Sequence, residues 1–164
     1  MQEKRENREK RIQDAGRKLL RFFYPLGCLV CGERIGSEEN ALCSACLARF
    51  EEECESPCRR CGNPHSRCYC TLNGMPQIHL APYHSEVTQR LVLTAKDHVY
   101  VDLLELFSER LSKRLRKTVP QNGEAVLCYV PRAQETVRVK GCDQSKLLAE
   151  AIAKKLKLPV VRAI

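Results

Sequence analysis

Cysteines are the residues with the clearest chemical potential in this chain of 164 residues. Nine of the 11 cysteines lie between Cys28 and Cys70, mostly as pairs separated by one or two residues. A pair at positions i and i+3 in a tight turn presents two thiolates to one ion, and two such pairs complete the tetrahedral sulfur shell of structural zinc. Two quartets fit this pattern: Cys28, Cys31, Cys43 and Cys46, then Cys58, Cys61, Cys68 and Cys70. The sequence therefore predicts one or two structural zinc ions.

The second quartet is less regular than the first, because its last pair is C-x-C. Cys54 and His65 are possible substitutes there, and the spacing does not decide whether consecutive pairs share an ion or alternate pairs cross over. Disulfides and an iron-sulfur cluster remain alternatives to zinc. A closed shell of four thiolates leaves no open coordination position, so a structural metal is favoured over a catalytic one.

Composition limits where the protein works and what it could bind. The chain has 28 Lys plus Arg against 20 Asp plus Glu, a formal charge of +8. It has no apolar run long enough for a membrane span, and its N-terminus is charged throughout, so we expect a cytoplasmic location with reduced thiols. Eight thiolate charges and two zinc ions would lower the formal charge from +8 to +4. The remaining excess favours a polyanionic partner only modestly.

Periodic patterns surround the cysteine-rich segment. Residues 3–23 predict an amphipathic helix, either packed on its own protein or presenting a basic face. Residues 78–84, IHLAPYH, alternate like a strand, and two helical patterns follow. The second of these helices places Leu104, Phe107, Leu111 and Leu115 on one face.

From Glu124 the pattern becomes strand, loop, helix, strand: AVLCYV, PRAQETVRVKG, CDQSKLLAEAIAKKLK and PVVRAI. Strands that alternate with helices predict a parallel α/β sheet, in which short apolar runs are buried on both faces. The predicted fold class is a small zinc-ribbon module followed by a partial α/β domain. The predicted divisions are an N-terminal helix over 1–24, a double zinc ribbon over 25–72 and the α/β part over 73–164.

The loop that follows AVLCYV leaves the carboxyl end of a strand, where open α/β sheets bind ligands. Arg132, Arg138 and Lys140 supply positive charge there, and Gly141 allows close backbone approach. These residues suit a phosphate group, with a solvated surface as the alternative. Cys128 is expected to be buried and inert within its apolar run, and Cys142 has no paired base.

The order of these motifs resembles the ComF family of competence-associated proteins. The matching features are FYPLGCLVCG, PCRRCGNP, a helix that ends in an Ala-Lys pair, a Val-Pro pair, and a sequence similar to RGFNQ. Such proteins carry a double zinc ribbon and a phosphoribosyltransferase-like domain. The resemblance implies a role in DNA uptake or other handling of single-stranded nucleic acid, with a competence-machinery protein as a possible partner.

Carried over by residue, the Val-Pro pair of the family falls on Val130 and Pro131, and RGFNQ falls on residues 140–144. Only Gly141 and Gln144 are identical in that motif, while Lys96 matches the lysine at the helix end. The family's basic pair falls on Glu135 and Thr136, so positive charge is lost. The resemblance thus adds Lys96 and Gln144 to the phosphate site that the loop residues Arg132, Arg138, Lys140 and Gly141 indicate.

The acidic pair and Thr-Thr-Gly loop that bind phosphoribosyl pyrophosphate in the family have no counterpart here and would be expected beyond Ile164. We therefore predict no catalytic residue, no turnover unless a second chain completes the site, and a magnesium ion only in that completed site. Two alternatives are a transferase active in a longer or complemented form and a fragment without function. For nucleic-acid handling, the candidate contacts lie in RLSKRLRK: Lys113, Arg114, Arg116 and Lys117. A solvated helix face is the other interpretation of that run.

Overall fold

A computed structural model of the chain describes residues 27–36, 39, 41–72, 74–97, 100–119 and 125–163. The predicted helix over residues 3–23 lies outside these residues. The described helices are α1 (Ser44–Glu55), α2 (Glu86–Asp97), α3 (Val101–Leu115), α4 (Gln134–Lys140) and α5 (Gln144–Leu156). The strands are β1 (Tyr69–Leu72), β2 (Met75–Ile78), β3 (Leu127–Tyr129) and β4 (Val160–Arg162), and a 3-10 turn covers His65–Arg67. The fold is a zinc-ribbon module followed by a small helical region with a short parallel two-stranded sheet.

The first half of the ribbon module shares its core with the helices that follow. Phe50 of α1 is fully buried and lies 6.4 Å, between ring centroids, from Phe107 of α3. Val87 and Leu91 of α2 and Leu103 of α3 complete the same cluster, together with Cys28, Val30, Ile35 and Leu42. Both predicted helices are present, but of the apolar face predicted for α3 only Phe107 is buried, while Leu104, Leu111 and Leu115 are half-buried.

The segment IHLAPYH is not a strand. Only Ile78 belongs to β2, which pairs antiparallel with β1 in a hairpin, and the chain then leaves the ladder. Leu80 and Ala81 pack against the core instead, and Pro82 has no N–H group for a strand pair. The apolar alternation therefore reflects a turn that enters the core rather than a period-2 strand.

The C-terminal part contains the predicted parallel pair, with Leu127 of β3 opposite Val160 of β4. The connection is not all loop, since Gln134–Lys140 forms a short helix ended by Gly141 at φ 74°. The prediction of burial on both faces is wrong: Val126 is 53% exposed, Val130 is 76% exposed, and Cys128 is exposed rather than buried. Helix α5 packs against β3.

Candidate zinc centres and basic surfaces

Two turns of the same design begin the two halves of the ribbon module. In the first knuckle, residues 27–34, the Gly32 N–H donates to the Cys28 carbonyl at 2.8 Å and the Cys28 N–H donates to the Glu33 carbonyl at 2.7 Å. The second knuckle, residues 57–64, repeats this pattern. The Gly62 N–H donates to the Cys58 carbonyl at 2.8 Å, and the Cys58 N–H donates to the Asn63 carbonyl at 2.7 Å. Gly32 and Gly62 have φ angles of 78° and 72°, a left-handed conformation that glycine adopts without strain. The recurring C-x-x-C-G sequence therefore specifies the turn locally.

The second cysteine pair comes from a different element in each half. Cys43 is the N-cap of α1, where its sulfur accepts from the Cys46 N–H at 3.5 Å, so both thiols face the first knuckle. Cys68 follows the 3-10 turn and Cys70 lies in β1, where the hairpin brings both to the second knuckle. Consecutive pairs thus meet, and the four ligand atoms within each quartet all lie within 4.8 Å of one another. Each zinc ion is therefore assigned two consecutive cysteine pairs, and alternate pairs do not cross over.

The sulfur separations fit a tetrahedral zinc site. Four sulfurs at about 2.3 Å from one ion lie about 3.8 Å apart. Cys31 and Cys43 are separated by 3.7 Å, Cys58 and Cys70 by 3.8 Å, and Cys61 and Cys68 by 3.6 Å. The pair Cys68 and Cys70 is slightly closer, at 3.3 Å. All of these cysteines are reduced, and the two groups fit two structural zinc ions.

The electrostatics of each group favour a cation. Backbone N–H groups of Arg60 and Cys61 donate to the Cys58 sulfur and lower the pKa of that thiol to about 6. Burial opposes ionisation of Cys28, but the backbone N–H groups of Cys31, Cys43 and Val30 outweigh it and lower its pKa to about 7. Hydrogen bonding with Cys68 raises the pKa of Cys70 to about 12, since a second thiolate beside the first is unfavourable. A divalent cation removes this conflict and allows all four sulfurs to ionise.

Cys54 and His65 are not members of either group. Cys54 is buried on α1 with 3% exposure, and burial raises the pKa of its thiol to about 11, which is the behaviour of an inert core residue. The His65 Nδ1 lies 2.7 Å from the Ser56 carbonyl oxygen. Cys54 and His65, which the sequence offered as alternative zinc ligands, are therefore engaged elsewhere in the fold.

Comparison with known proteins agrees with this geometry. The family model described as double zinc ribbon domain matches residues 19–79. Residues 19–79 are a double zinc ribbon domain. No curated protein and no solved structure matches the chain. Among the described residues, no helix is both long and apolar enough to cross a membrane.

The basic run RLSKRLRK, residues 110–117 at the C-terminal end of α3, contains both buried and exposed basic side chains. Arg114 is buried, with 8% exposure, and its guanidinium donates to the carbonyls of His65 at 2.6 Å, Cys68 at 2.5 Å and His79. It also lies over the Tyr69 ring, 5.2 Å from the centroid. Every one of these partners belongs to the second ribbon, residues 57–79. Arg114, a candidate nucleic-acid contact from the sequence, is thus buried against the second ribbon, and both terminal nitrogens of its guanidinium donate to ribbon carbonyls.

Arg110, one turn earlier, is similarly engaged. It pairs with Glu51 of α1 through both terminal nitrogens, one of them at 2.8 Å, and lies over the Phe50 ring at 5.1 Å. The remaining residues of the run, Lys113, Arg116 and Lys117, are exposed. Lys113 forms an ion pair with Glu109 at 2.7 Å, one turn before it on the same helix.

Helix α5 brings further positive charge to the same place, which sequence reasoning missed. Arg116 donates to the carbonyl of Lys155 at 3.3 Å, so the C-terminal ends of α3 and α5 adjoin. We call the exposed cations Arg116, Lys117, Lys154 and Lys157 the basic end. Because Arg116 and Lys155 are 39 residues apart along the chain, only a three-dimensional contact could group these charges.

Four of the six predicted phosphate residues, Lys96, Arg132, Lys140 and Gln144, converge, but on the end of α2. Arg132 and Gln144 donate to the Lys96 carbonyl at 3.5 and 3.1 Å, and Lys140 pairs with Asp97 at 2.9 Å. The Lys96 ammonium itself lies 5.8 Å from the centroid of the Tyr83 ring. Donors of this kind satisfy the unpaired carbonyls of a helix C-terminus. Lys96, Arg132 and Gln144 also reach one edge of a largely apolar cavity of about 580 Å³ between α2, α3 and α5.

Arg138 belongs to a separate crevice of about 350 Å³ at the carboxyl ends of β3 and β4. Its cations are Arg132, Arg138, Lys146 and Arg162, and its carboxylate is Asp143. Asp143 accepts from the Arg132 N–H at 3.1 Å and from the Ser145 hydroxyl at 2.6 Å, which lowers its pKa despite the opposing effect of burial. Gly141 is exposed at the end of α4 and lies outside both cavities.

One further residue that the sequence did not indicate joins the two parts of the fold. Glu53 of α1 accepts from the N–H groups of Val87 and Thr88 at 2.9 and 2.8 Å, and from the hydroxyls of Thr88 and Ser85 at 2.7 and 2.8 Å. Burial acts to raise the pKa of this carboxyl, but the four donors lower it below its ordinary value. Glu53 thus caps the start of α2 from another helix.

Proposed function

We propose that this is a ComF-like, cytoplasmic protein that binds single-stranded nucleic acid through its phosphates, with the zinc ions in a structural role. The observation that carries the proposal is the basic end. Its four exposed cations lie at the C-terminal ends of α3 and α5, which adjoin at Arg116, and Lys113 lies one turn before Arg116. A cluster of this kind attracts phosphates without reading bases. A competence-machinery partner stays a prediction from the resemblance alone.

Salt dependence is the property that tests phosphate binding. Each cation that neutralises a phosphate releases condensed counterions, so the logarithm of affinity falls with the logarithm of salt concentration by about 0.7 for each contact on a single strand. We expect a marked slope for binding of the zinc-loaded chain to a fluorescent thymidine oligonucleotide of about 20 nucleotides, a length comparable with known site sizes.

The variant R116S/K117S removes two charges of the basic end. It should reduce the salt slope by about 1.4, because two contacts are lost. The control R34S/R49S removes the same net charge from exposed positions of the first knuckle and α1. Equal slopes for the two variants would refute a role for the basic end, while a wild-type chain that does not bind the oligonucleotide would refute the function.

A second candidate function rests on the crevice at the ends of β3 and β4. Arg138 and Arg162 line it at the carboxyl edge of a parallel pair, beside Lys146, which pairs with Glu150 at 3.8 Å, and this positive charge favours a phosphate ester. This agrees with the phosphoribosyltransferase-like domain that the resemblance implies, with magnesium only in a completed site. Calorimetry with ribose 5-phosphate tests it: we expect binding that R138S/R162S abolishes, and absence of binding by the wild-type chain would contradict it.

A further inference from the structure

The two knuckles have the same backbone but opposite surroundings. In the first, the residues between the cysteines are Leu29 and Val30, which pack against the core, and Val30 is 5% exposed. In the second, the corresponding residues are Arg59 and Arg60, both exposed. Since the hydrogen-bond pattern of the turn is shared, the turn itself does not require arginines. The turn geometry therefore does not explain why Arg59 and Arg60 occupy these two positions.

The surroundings of the second knuckle extend this positive charge. The Arg60 guanidinium donates to the Thr71 carbonyl at 3.1 Å, which holds it against the edge of β1. Arg67, in the 3-10 turn, is exposed, and its nearest carboxylate, Glu55, is 3.8 Å away, a distance at which an exposed pair contributes little. Three guanidinium groups thus lie around one small zinc turn, with Glu55 as the opposing charge.

Tyr69 gives the same surface an aromatic face. It lies in β1, two residues before Thr71, and is 38% exposed. The buried guanidinium of Arg114 covers one side of its ring at 5.2 Å, which fixes the ring in place. A held aromatic ring beside guanidinium groups is the combination on which single-stranded nucleic acids bind, since bases stack and phosphates pair.

We propose that the second knuckle, Arg59, Arg60 and Arg67 with Tyr69, is a contact surface for single-stranded nucleic acid. Arg59, Arg60 and Arg67 pair with phosphates, and a base stacks on the Tyr69 ring. Arg114 connects this surface to α3, three residues before Lys117 of the basic end, so one strand can contact both. The inference rests on the proposed function and assigns it a second, base-contacting site.

The test uses the zinc-loaded chain and the same thymidine oligonucleotide. R59S/R60S should reduce the salt slope by about 1.4, whereas R59K/R60K keeps the charges and should keep most of the slope. Y69S should weaken binding about 5- to 100-fold and Y69F should restore it, because phenylalanine stacks equally well. The control is again R34S/R49S, which should bind like the wild type.

Each failure has a distinct signature. If R116S/K117S weakens binding but R59S/R60S and Y69S do not, this inference is wrong and the proposed function stands. If R59S/R60S loses zinc to a colorimetric chelator faster than the control does, the arginines balance thiolate charge and the inference is also overturned. If an abasic strand of the same length binds with the same affinity as the thymidine oligonucleotide, no base stacks on Tyr69. Failure of the wild type to bind any strand refutes both proposals.

Discussion

Replacing Arg114 with methionine should detach the second ribbon from α3. The described contacts between them centre on this guanidinium, which donates to three carbonyls of the ribbon and covers the Tyr69 ring. Cys58 and Cys68 of the second ribbon lie outside the main apolar cluster, which contains buried residues of the first ribbon with α1 and of helices α2 and α3. The second ribbon is therefore held to the protein chiefly by polar contacts, and methionine keeps the aliphatic volume while it removes the donors.

The size of the effect follows from these contacts. Hydrogen bonds that involve a charged group contribute about 1.5–3 kcal/mol each, and such bonds from one side chain are not additive. The variant leaves carbonyls of His65, Cys68 and His79 without their donor while the surrounding surface stays buried. An unsatisfied buried acceptor costs about 1–3 kcal/mol, so for three non-additive carbonyls we expect a destabilisation of about 3–5 kcal/mol.

Urea denaturation of the zinc-loaded chain, followed by circular dichroism, measures this effect. With a slope of about 2 kcal/mol per molar urea, the midpoint should fall by about 2 M. The control K113M removes a neighbouring exposed cation whose ion pair with Glu109 contributes about 0.5 kcal/mol or less. Hydrogen exchange should locate the change, with residues 57–79 losing protection before α2 and α3 do.

Two results would refute this reasoning. If R114M and K113M differ by less than about 1 kcal/mol, the guanidinium does not hold the ribbon. If protection is lost equally in both ribbons, the second ribbon is not a separately docked unit.

Further predictions concern the metal sites, the core and the interhelical cap. Purified protein should contain two zinc ions per chain and C61S one, by atomic emission; an unchanged content would contradict the assigned grouping. C54S should keep both ions yet lower stability by about 1–2 kcal/mol, because a hydroxyl replaces a buried thiol, and loss of zinc would make Cys54 a ligand. E53Q should cost about 2–3 kcal/mol at neutral pH, since its amide nitrogen cannot accept from the start of α2. Because the folded pKa of Glu53 is lowered, its contribution is present above the ordinary carboxyl pKa and is lost as pH falls through the folded value. The stability difference between wild type and E53Q should therefore shrink in acid, and a difference independent of pH would refute an ionised cap.

The zinc ligands were predictable because their geometry is local. C-x-x-C-G encodes a complete turn, with glycine at the one position that needs a positive φ angle. The helices α2 and α3 were predictable for a similar reason, since their apolar stripes repeat every three to four residues. The short helix α4 was not, because it has no buried residue and therefore no stripe.

What the sequence determined by itself was which thiols could bind metal and which helix faces needed burial, because spacing within a few residues fixes both. What only the tertiary structure decided was how the cysteine pairs combine and which charges are free. Arg114 and Lys113 are neighbours in one basic run, yet one is buried against carbonyls 35 to 49 residues away and the other faces solvent. A charge is assigned its role by the groups that surround it, and those groups come from distant parts of the chain.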